Sequence, residues 1–126
     1  GIKDDVLMPG YCSKVPVLLR HASALVMPSL TEGLPITLLE AMSLKTPVVA
    51  SAVGEIPKVL GDGQGGGLLR DIEPETITRA LAEAVTDAEL SRDKGNWGYE
   101  VVRKRYSSEA MADKYLGFYS RVLAKS

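Results

Sequence analysis

The chain contains few of the residues that many specialised functions depend on. It has one cysteine, Cys12, so no internal disulfide can form and a reducing compartment is favoured. No histidine or acidic cluster accompanies Cys12 as a metal site or an activated nucleophile would require. The formal net charge of −1 argues against a nucleic-acid-binding protein, which would show a basic surface. The sequence shows no signal peptide and no apolar run long enough to span a bilayer, so we expect a cytoplasmic protein.

The first half of the chain alternates short apolar runs with helical patterns. The runs at residues 6–9, 24–28, 47–51 and 67–69 are apolar on both faces, which suits parallel strands covered by helices on either side. Helical patterns occupy residues 14–22, 35–44 and 56–60. The pattern predicts an α/β fold, specifically a Rossmann-like three-layer domain with a parallel sheet of about four short strands.

The second half of the chain is predicted to be helical. One helix begins at Pro74, a second covers about 89–105 with weak points at Gly95 and Gly98, and a third runs from 107 or 108 to about 124. The apolar residues of the third helix are expected to line its inner face: Met111, Tyr115, Phe118, Tyr119 and Val122. We therefore predict one domain over 1–126, with an α/β part at 1–72 and a helical part at 73–126.

Two glutamates eight positions apart, Glu32 and Glu40, bracket the link between an apolar strand and an apolar helix. Pro35 suits the first helical turn, and Gly33 lets a ligand approach the backbone closely. Thr37 and Glu40 share one face of the predicted helix, because they are three residues apart. Helix N-termini bind phosphate, and a carboxylate one turn further in can bind paired ribose hydroxyls. The segment therefore predicts a site for a phosphorylated nucleoside ligand.

Several of these features have a simpler structural reading. Glu32 alone suits a solvated loop, and Glu40 suits a structural carboxylate satisfied by the backbone or by an arginine. The glycines of the 61–67 segment resemble a phosphate cradle, but they precede a strand, so a flexible turn is favoured. His21 suits the C-terminus of a helix, and a catalytic role is its alternative. The basic run at 103–105 also suits a helix C-terminus, and a phosphate or anionic-lipid contact is the alternative there.

Three motifs in order carry a resemblance to a known family. They are residues 27–35 (MPSLTEGLP), 39–42 (LEAM) and 47–51 (PVVAS). Together they resemble the C-terminal domain of retaining, nucleotide-sugar-dependent glycosyltransferases of family four, which have the GT-B fold. The similarity continues through residues 53–57, 66–69 and 115–122, and so covers essentially the whole chain.

The resemblance implies a role for each matching position. Glu32 would be the catalytic carboxylate that meets donor-sugar hydroxyls and stabilises charge near the reacting carbon. The segment of Gly33, Leu34, Pro35 and Ile36 would face the sugar and diphosphate, Glu40 would hold the ribose hydroxyls, and Gly10 and Tyr11 would lie near the nucleobase. The donor would be a UDP- or GDP-type nucleotide sugar. The resemblance implies no cofactor and no obligatory metal.

The chain also departs from the family pattern. The basic residues that grip the diphosphate and the acceptor-binding domain would precede residue 1, so we expect a fragment that is inactive alone. Lys45 stands where the family usually has glycine, and Lys58 where an acid is common. Two other functions remain open: a stand-alone nucleotide-sugar-binding or regulatory module, and a structural role as a homo-oligomer joined through an exposed edge. A peripheral membrane contact of the full enzyme is a further expectation, and a nucleotide-sugar epimerase is a weaker alternative.

Overall fold

The computed structural model describes residues 1–125 as a three-stranded parallel sheet surrounded by helices. After a short 3₁₀ turn at Lys3–Asp5, the elements are α1 (Val15–His21), β1 (Leu25–Met27), α2 (Ile36–Ser43), β2 (Val48–Ser51), α3 (Ile56–Val59), β3 (Gly67–Leu69), α4 (Pro74–Thr86), α5 (Ala88–Arg105) and α6 (Ser108–Leu123). The predicted α/β, Rossmann-like class is confirmed, and most predicted elements lie within two residues of the observed bounds.

The sheet has the order β1-β2-β3, with β2 in the centre. Leu25 of β1 pairs with Val48, and Val49 of β2 pairs with Gly67, both in parallel register. All four residues of β2 are buried. Successive side chains of a strand point to opposite faces, so helices must cover both faces of β2.

The predicted first strand, at residues 6–9, is not formed, and that prediction is wrong. Leu7 and Met8 are 88% and 91% exposed. Within residues 1–125, β1 pairs only with β2, and nothing covers the apolar run. A strand is stabilised by a hydrogen-bonded neighbour and by packing on its faces, and a short apolar run without either stays irregular.

The core is built around α2. Leu38, Ala41 and Met42 of this helix are almost fully buried against β2 and α3. Helix α5 crosses α2 closely because its two glycines lie at the crossing: a Cβ on Gly98 would contact the Met42 side chain, and one on Gly95 would lie 3.0 Å from the Lys45 carbonyl oxygen. The glycines predicted to weaken α5 therefore permit its packing.

Two glycines of the 61–67 segment pack against one aromatic ring. A Cβ on Gly65 would lie 2.7 Å from the ring of Trp97, and a Cβ on Gly61 would overlap the same ring. Gly61 also has a φ of +56°, a left-handed conformation that favours glycine. These glycines are explained by close packing against α5, without any need for a phosphate ligand.

The two lysines that depart from the family pattern have identifiable local roles. Lys45, directly after α2, has a φ of +59°, so this position is indeed left-handed and lysine is costly there. Its ammonium group lies 5.0 Å from the centroid of the Tyr99 ring, a partly compensating cation–π contact. Lys58 forms an ion pair with Glu55 at 2.8 Å.

Helix α6 does not pack as predicted. It begins at a Ser107 cap, whose hydroxyl accepts a hydrogen bond from the Ala110 N–H, and it contacts α5. The expected inner face is about half exposed at every position: Met111, Tyr115, Phe118, Tyr119 and Val122. The prediction of a buried face is wrong, because no element among residues 1–125 lies over it. Across the part of the chain that the structure describes, no helix is both long and apolar enough to cross a bilayer.

Candidate functional site

The N-terminus of α2 carries unpaired backbone donors at the C-terminal edge of the sheet. The chain leaves β1 at Met27, and α2 begins at Ile36 after an extended Pro35 (φ −71°, ψ 123°) with no side-chain cap. Proline is therefore the residue before the helix, one position earlier than predicted. The N–H groups of Ile36, Thr37 and Leu38 have no hydrogen-bond partner within residues 1–125, but Leu38 is fully buried, so only the donors of Ile36 and Thr37 lie at the surface. Such donors, aligned with the helix dipole, favour an anion.

Glu32 lies in the loop before this helix terminus and is held by a neighbour. Its side chain is half-buried, and Oε1 accepts a hydrogen bond from the Ser29 hydroxyl at 2.7 Å. Glu32 is thus a fixed carboxylate, in contrast to the solvated loop acid that was the structural alternative.

The backbone of the same loop is clamped by the turn after β2. The Glu55 N–H donates to the Gly33 carbonyl at 3.0 Å. Gly54, at φ +57°, lies so close that a Cβ there would overlap the Glu32 carbonyl and lie 2.7 Å from the Gly33 carbonyl oxygen. Sequence reasoning missed Gly54 and Ser29 as supports of the site, although an isolated glycine after an apolar strand is a signal of close backbone approach.

Glu40 lies one turn inside α2, on the same face as Thr37. Both residues are half-buried. The Glu40 carboxylate accepts no hydrogen bond from residues 1–125, whereas the Glu40 backbone carbonyl accepts from the Ser43 hydroxyl at 2.7 Å and from the Leu44 N–H at 3.2 Å. The structural alternative, in which an arginine or the backbone satisfies this carboxylate, is therefore not what the structure shows. A half-buried, unpartnered carboxylate is suited to hydroxyl donors of a ligand.

The other predicted site residues are accessible. Leu34 and Ile36 are 39% and 65% exposed, so a ligand can reach their backbone. Gly10 (φ +72°) and the 95% exposed Tyr11 lie in the irregular stretch before α1. Neither forms a hydrogen bond with the loop before α2, so their proximity to a nucleobase stays a prediction.

A shallow depression adjoins Ser29 where the three strands end. It is lined by residues of the β1, β2 and β3 termini, including Ser51, Arg70 and Asp71. A hydrogen bond from the Thr76 side chain, with a second from the Glu73 N–H, holds the pKa of Asp71 below the ordinary aspartate value. Arg70 adds an exposed cation beside the site that sequence reasoning did not single out.

Among residues 1–125, no group of three histidine, cysteine or acidic side chains is arranged to hold a metal ion. The expectation of a metal-independent site stays a prediction, since a metal can also be carried by a substrate.

The chain thus forms a parallel α/β domain in which one glutamate lies in the loop before a helix and a second lies in that helix, a placement that nucleotide-binding domains also show. The chain belongs to the family described as glycosyl transferases group 1, whose family model matches residues 1–101. The predicted family is confirmed by this match.

Relatives and solved structures agree with this family. The chain is 30% identical over 123 residues to the lipopolysaccharide core biosynthesis mannosyltransferase LpcC of Rhizobium leguminosarum bv. viciae, covering 98% of this chain and 35% of that protein. The chain superimposes on sucrose-phosphate synthase from Thermosynechococcus elongatus with a TM-score of 0.77 at 29% identity. The superposition covers 87% of this chain and 28% of the synthase chain. The chain thus spans about a third of the length of the curated relative.

A third comparison shows the fold alone. The chain superimposes on Staphylococcus aureus TarM with a TM-score of 0.79 at 24% identity. The superposition covers 92% of this chain and 24% of the TarM chain. That crystal structure is of a G117R mutant in complex with fondaparinux, α-GlcNAc-glycerol and UDP.

Proposed function

We propose that this chain forms the donor side of a glycosyltransferase and binds a nucleoside-diphosphate sugar across the N-terminus of α2. The observation that carries the proposal is the pair of free, accessible N–H groups of Ile36 and Thr37, which lie along the chain between a fixed carboxylate, Glu32, and an unpartnered one, Glu40. The diphosphate needs donors and positive potential, whereas the sugar and the ribose need acceptors for their hydroxyls. Along the chain, the carboxylate assigned to the sugar comes first, the N–H donors for the diphosphate follow, and the carboxylate assigned to the ribose comes last, which is the order of these groups in the ligand.

The same groups suit the chemistry of sugar transfer. As the bond between the anomeric carbon and the diphosphate breaks, positive charge develops on the sugar and negative charge on the leaving group. The α2 N–H groups and helix dipole stabilise the departing diphosphate, and Glu32 stabilises the sugar cation through its carboxylate. By family resemblance, the transfer retains the configuration of the anomeric carbon.

Glu40 is assigned to the ribose of the nucleotide. It lies four residues beyond Ile36, about 6 Å along the helix axis, so it is within reach of the ribose attached to a diphosphate at the helix N-terminus. Gly10 and Tyr11 are assigned to the nucleobase side. A donor of the UDP or GDP type is proposed, since UDP occupies the structure of a protein with the same fold.

The test is a titration of the ¹⁵N-labelled chain with UDP-glucose and GDP-mannose, followed by NMR. One of these ligands should shift the amide signals of Ile36, Thr37 and Leu38. Glu40→Gln should weaken that binding about tenfold, as expected for a hydrogen bond to a charged group. The matched control is Glu109→Gln on the exposed face of α6, which should leave binding unchanged. No shift at ligand concentrations up to about 10 mM would contradict the proposal.

We also propose that the 126-residue chain binds donor without transferring it. The loop before α2 lies on an open edge, and the described residues provide no facing wall to hold an acceptor against the anomeric carbon. Transfer needs both substrates positioned and water excluded. Incubation with radiolabelled nucleotide sugars and sugar or lipid acceptors should give no product, and robust turnover would contradict this point.

A binding or regulatory module without catalysis is the second candidate function. It is favoured by the same openness of the site, and it predicts the same donor binding. The two candidates differ when the chain is mixed with a polypeptide that supplies the remaining two-thirds of a group 1 glycosyltransferase. Reconstituted transfer supports the enzyme, and binding that never leads to transfer supports the module.

A further inference from the structure

We infer that Ser29 is a positioning residue that aims the Glu32 carboxylate at the donor sugar. The inference rests on the proposed function, and its evidence is the 2.7 Å hydrogen bond from the Ser29 hydroxyl to Glu32 Oε1. Both side chains are half-buried, so the bond is partly shielded from water. Ser29 would act through Glu32 and would not touch the reacting atoms.

The bond from Ser29 makes the two oxygens of the Glu32 carboxylate unequal in their availability to a ligand. An ionised carboxylate only accepts hydrogen bonds, and it has two oxygens. Ser29 takes one acceptor site of Oε1, so Oε2 is the oxygen with both of its sites open to sugar hydroxyls. Glutamate is a flexible side chain that loses rotamer freedom when it is fixed, so a residue that fixes it before the ligand arrives improves binding of the sugar.

The backbone of the loop is fixed by separate contacts. The Gly33 carbonyl is turned toward the Glu55 N–H, and Gly54 packs beneath the same peptide. Because a trans peptide is planar, its N–H points opposite to its C=O, so the Leu34 N–H is aimed away from Glu55. This clamp does not involve the Ser29 side chain. Removal of the Ser29 hydroxyl should therefore free the Glu32 carboxylate while the α2 N–H groups stay in place.

Because the Glu32 side chain and the loop backbone are held by separate contacts, loss of the Ser29 hydroxyl should affect sugar binding and diphosphate binding differently. In the proposed site, Glu32 binds the sugar, whereas the N-terminus of α2 binds the diphosphate. Ser29→Ala should weaken binding of UDP-glucose or GDP-mannose about five- to tenfold, the effect of one charge-assisted hydrogen bond lost indirectly. It should change binding of UDP or GDP, which lack the sugar, by less than about twofold. Ser29→Thr keeps the hydroxyl and should restore binding. Ser23→Ala, at an exposed serine just before β1, is the matched control.

Equal weakening of sugar-bearing and sugar-free nucleotides would show that Ser29 only supports the loop, and would overturn the inference. No weakening of either would overturn it as well. Failure of the wild-type chain to bind any of the four nucleotides would instead count against the proposed function.

A measurement without ligand distinguishes failure of the positioning role of Ser29 from failure of the proposed donor binding. In chain labelled with ¹³C-glutamate, side-chain relaxation should show a more ordered Glu32 in wild type and in Ser29→Thr than in Ser29→Ala. Glu109 on α6 is the internal reference, since Ser29 is remote from it in sequence and fold. Equal mobility of Glu32 in wild type and Ser29→Ala would overturn the positioning role, whatever the binding results.

Discussion

Gly54→Ala tests how tightly the turn after β2 supports the loop before α2. Gly54 has a φ of +57°, and an L-residue in this region costs about 1–2 kcal/mol. The added Cβ would also lie 2.9 Å from the Glu32 carbonyl carbon and 2.7 Å from the Gly33 carbonyl oxygen. These are backbone atoms, so the loop itself must move. Movement weakens the bond from the Glu55 N–H, worth about 1 kcal/mol.

One effect opposes these costs, because alanine stiffens the unfolded chain and returns about 0.4–1 kcal/mol. The net expectation is a loss of about 1–2.5 kcal/mol in the free energy of unfolding, which exceeds the change of about 0.5 kcal/mol usual for a surface substitution. Urea denaturation, followed by far-UV circular dichroism and Trp97 fluorescence, measures it.

The control for this prediction is Gly33→Ala, on the other side of the same contact. Gly33 has no left-handed φ, and its Cβ would meet no atom within 4 Å. Its stability should stay within about 0.5 kcal/mol of wild type. If Gly54→Ala were equally harmless, the turn would not support the loop and the reasoning would be refuted.

Three further predictions concern packing, strain and charge. Gly61 has a φ of +56° and lies against the Trp97 ring, so Gly61→Ala should lower the free energy of unfolding by about 2 kcal/mol and shift the tryptophan emission. An unchanged emission spectrum would argue against the contact between Gly61 and the ring. Lys45→Gly relieves about 1–2 kcal/mol of left-handed strain, but it loses a contact of about 0.5–1 kcal/mol between the ammonium group and a tyrosine ring and gives the unfolded chain about 0.4–1 kcal/mol of extra freedom. These terms nearly cancel, so the free energy of unfolding should stay within about 1 kcal/mol of wild type, and a larger loss in urea denaturation would contradict the expectation. The pKa of Asp71 is depressed in the folded state, so its stabilising contribution is present above the ordinary aspartate pKa and is lost as pH falls through the lower folded value. Thr76→Ala should move this pKa up toward its ordinary value in an NMR titration of the carboxyl carbon, and an unmoved pKa would count against the hydrogen bond.

The strands and helices with internal support were predictable from sequence. Residues 48–51 form a four-residue apolar run, and β2 lies there with helices on both faces. The run at residues 6–9 has similar composition, yet it stays irregular because a strand depends on a partner that periodicity does not reveal. Helix α6 shows the same limit, since its amphipathic pattern gives the helix correctly but does not say what covers its apolar face.

The candidate site was predictable where its determinants are local. The free N–H groups of α2 and the position of Glu40 one turn later follow from helix geometry once the helix start is known. The contact of Gly54 with the loop of Glu32 and Gly33 joins residues more than twenty positions apart, so no spacing rule reports it. The Ser29–Glu32 bond is local, but several rotamers of both side chains were available, and only the folded loop selects one.

A crystal structure of the chain with UDP-glucose or GDP-mannose bound tests the central claim most directly. The account predicts that the diphosphate lies on the N–H groups of Ile36 and Thr37, with the sugar against Glu32 and the ribose hydroxyls on Glu40. A nucleotide seated elsewhere, or one bound at this edge with both carboxylates turned away from it, would contradict the account.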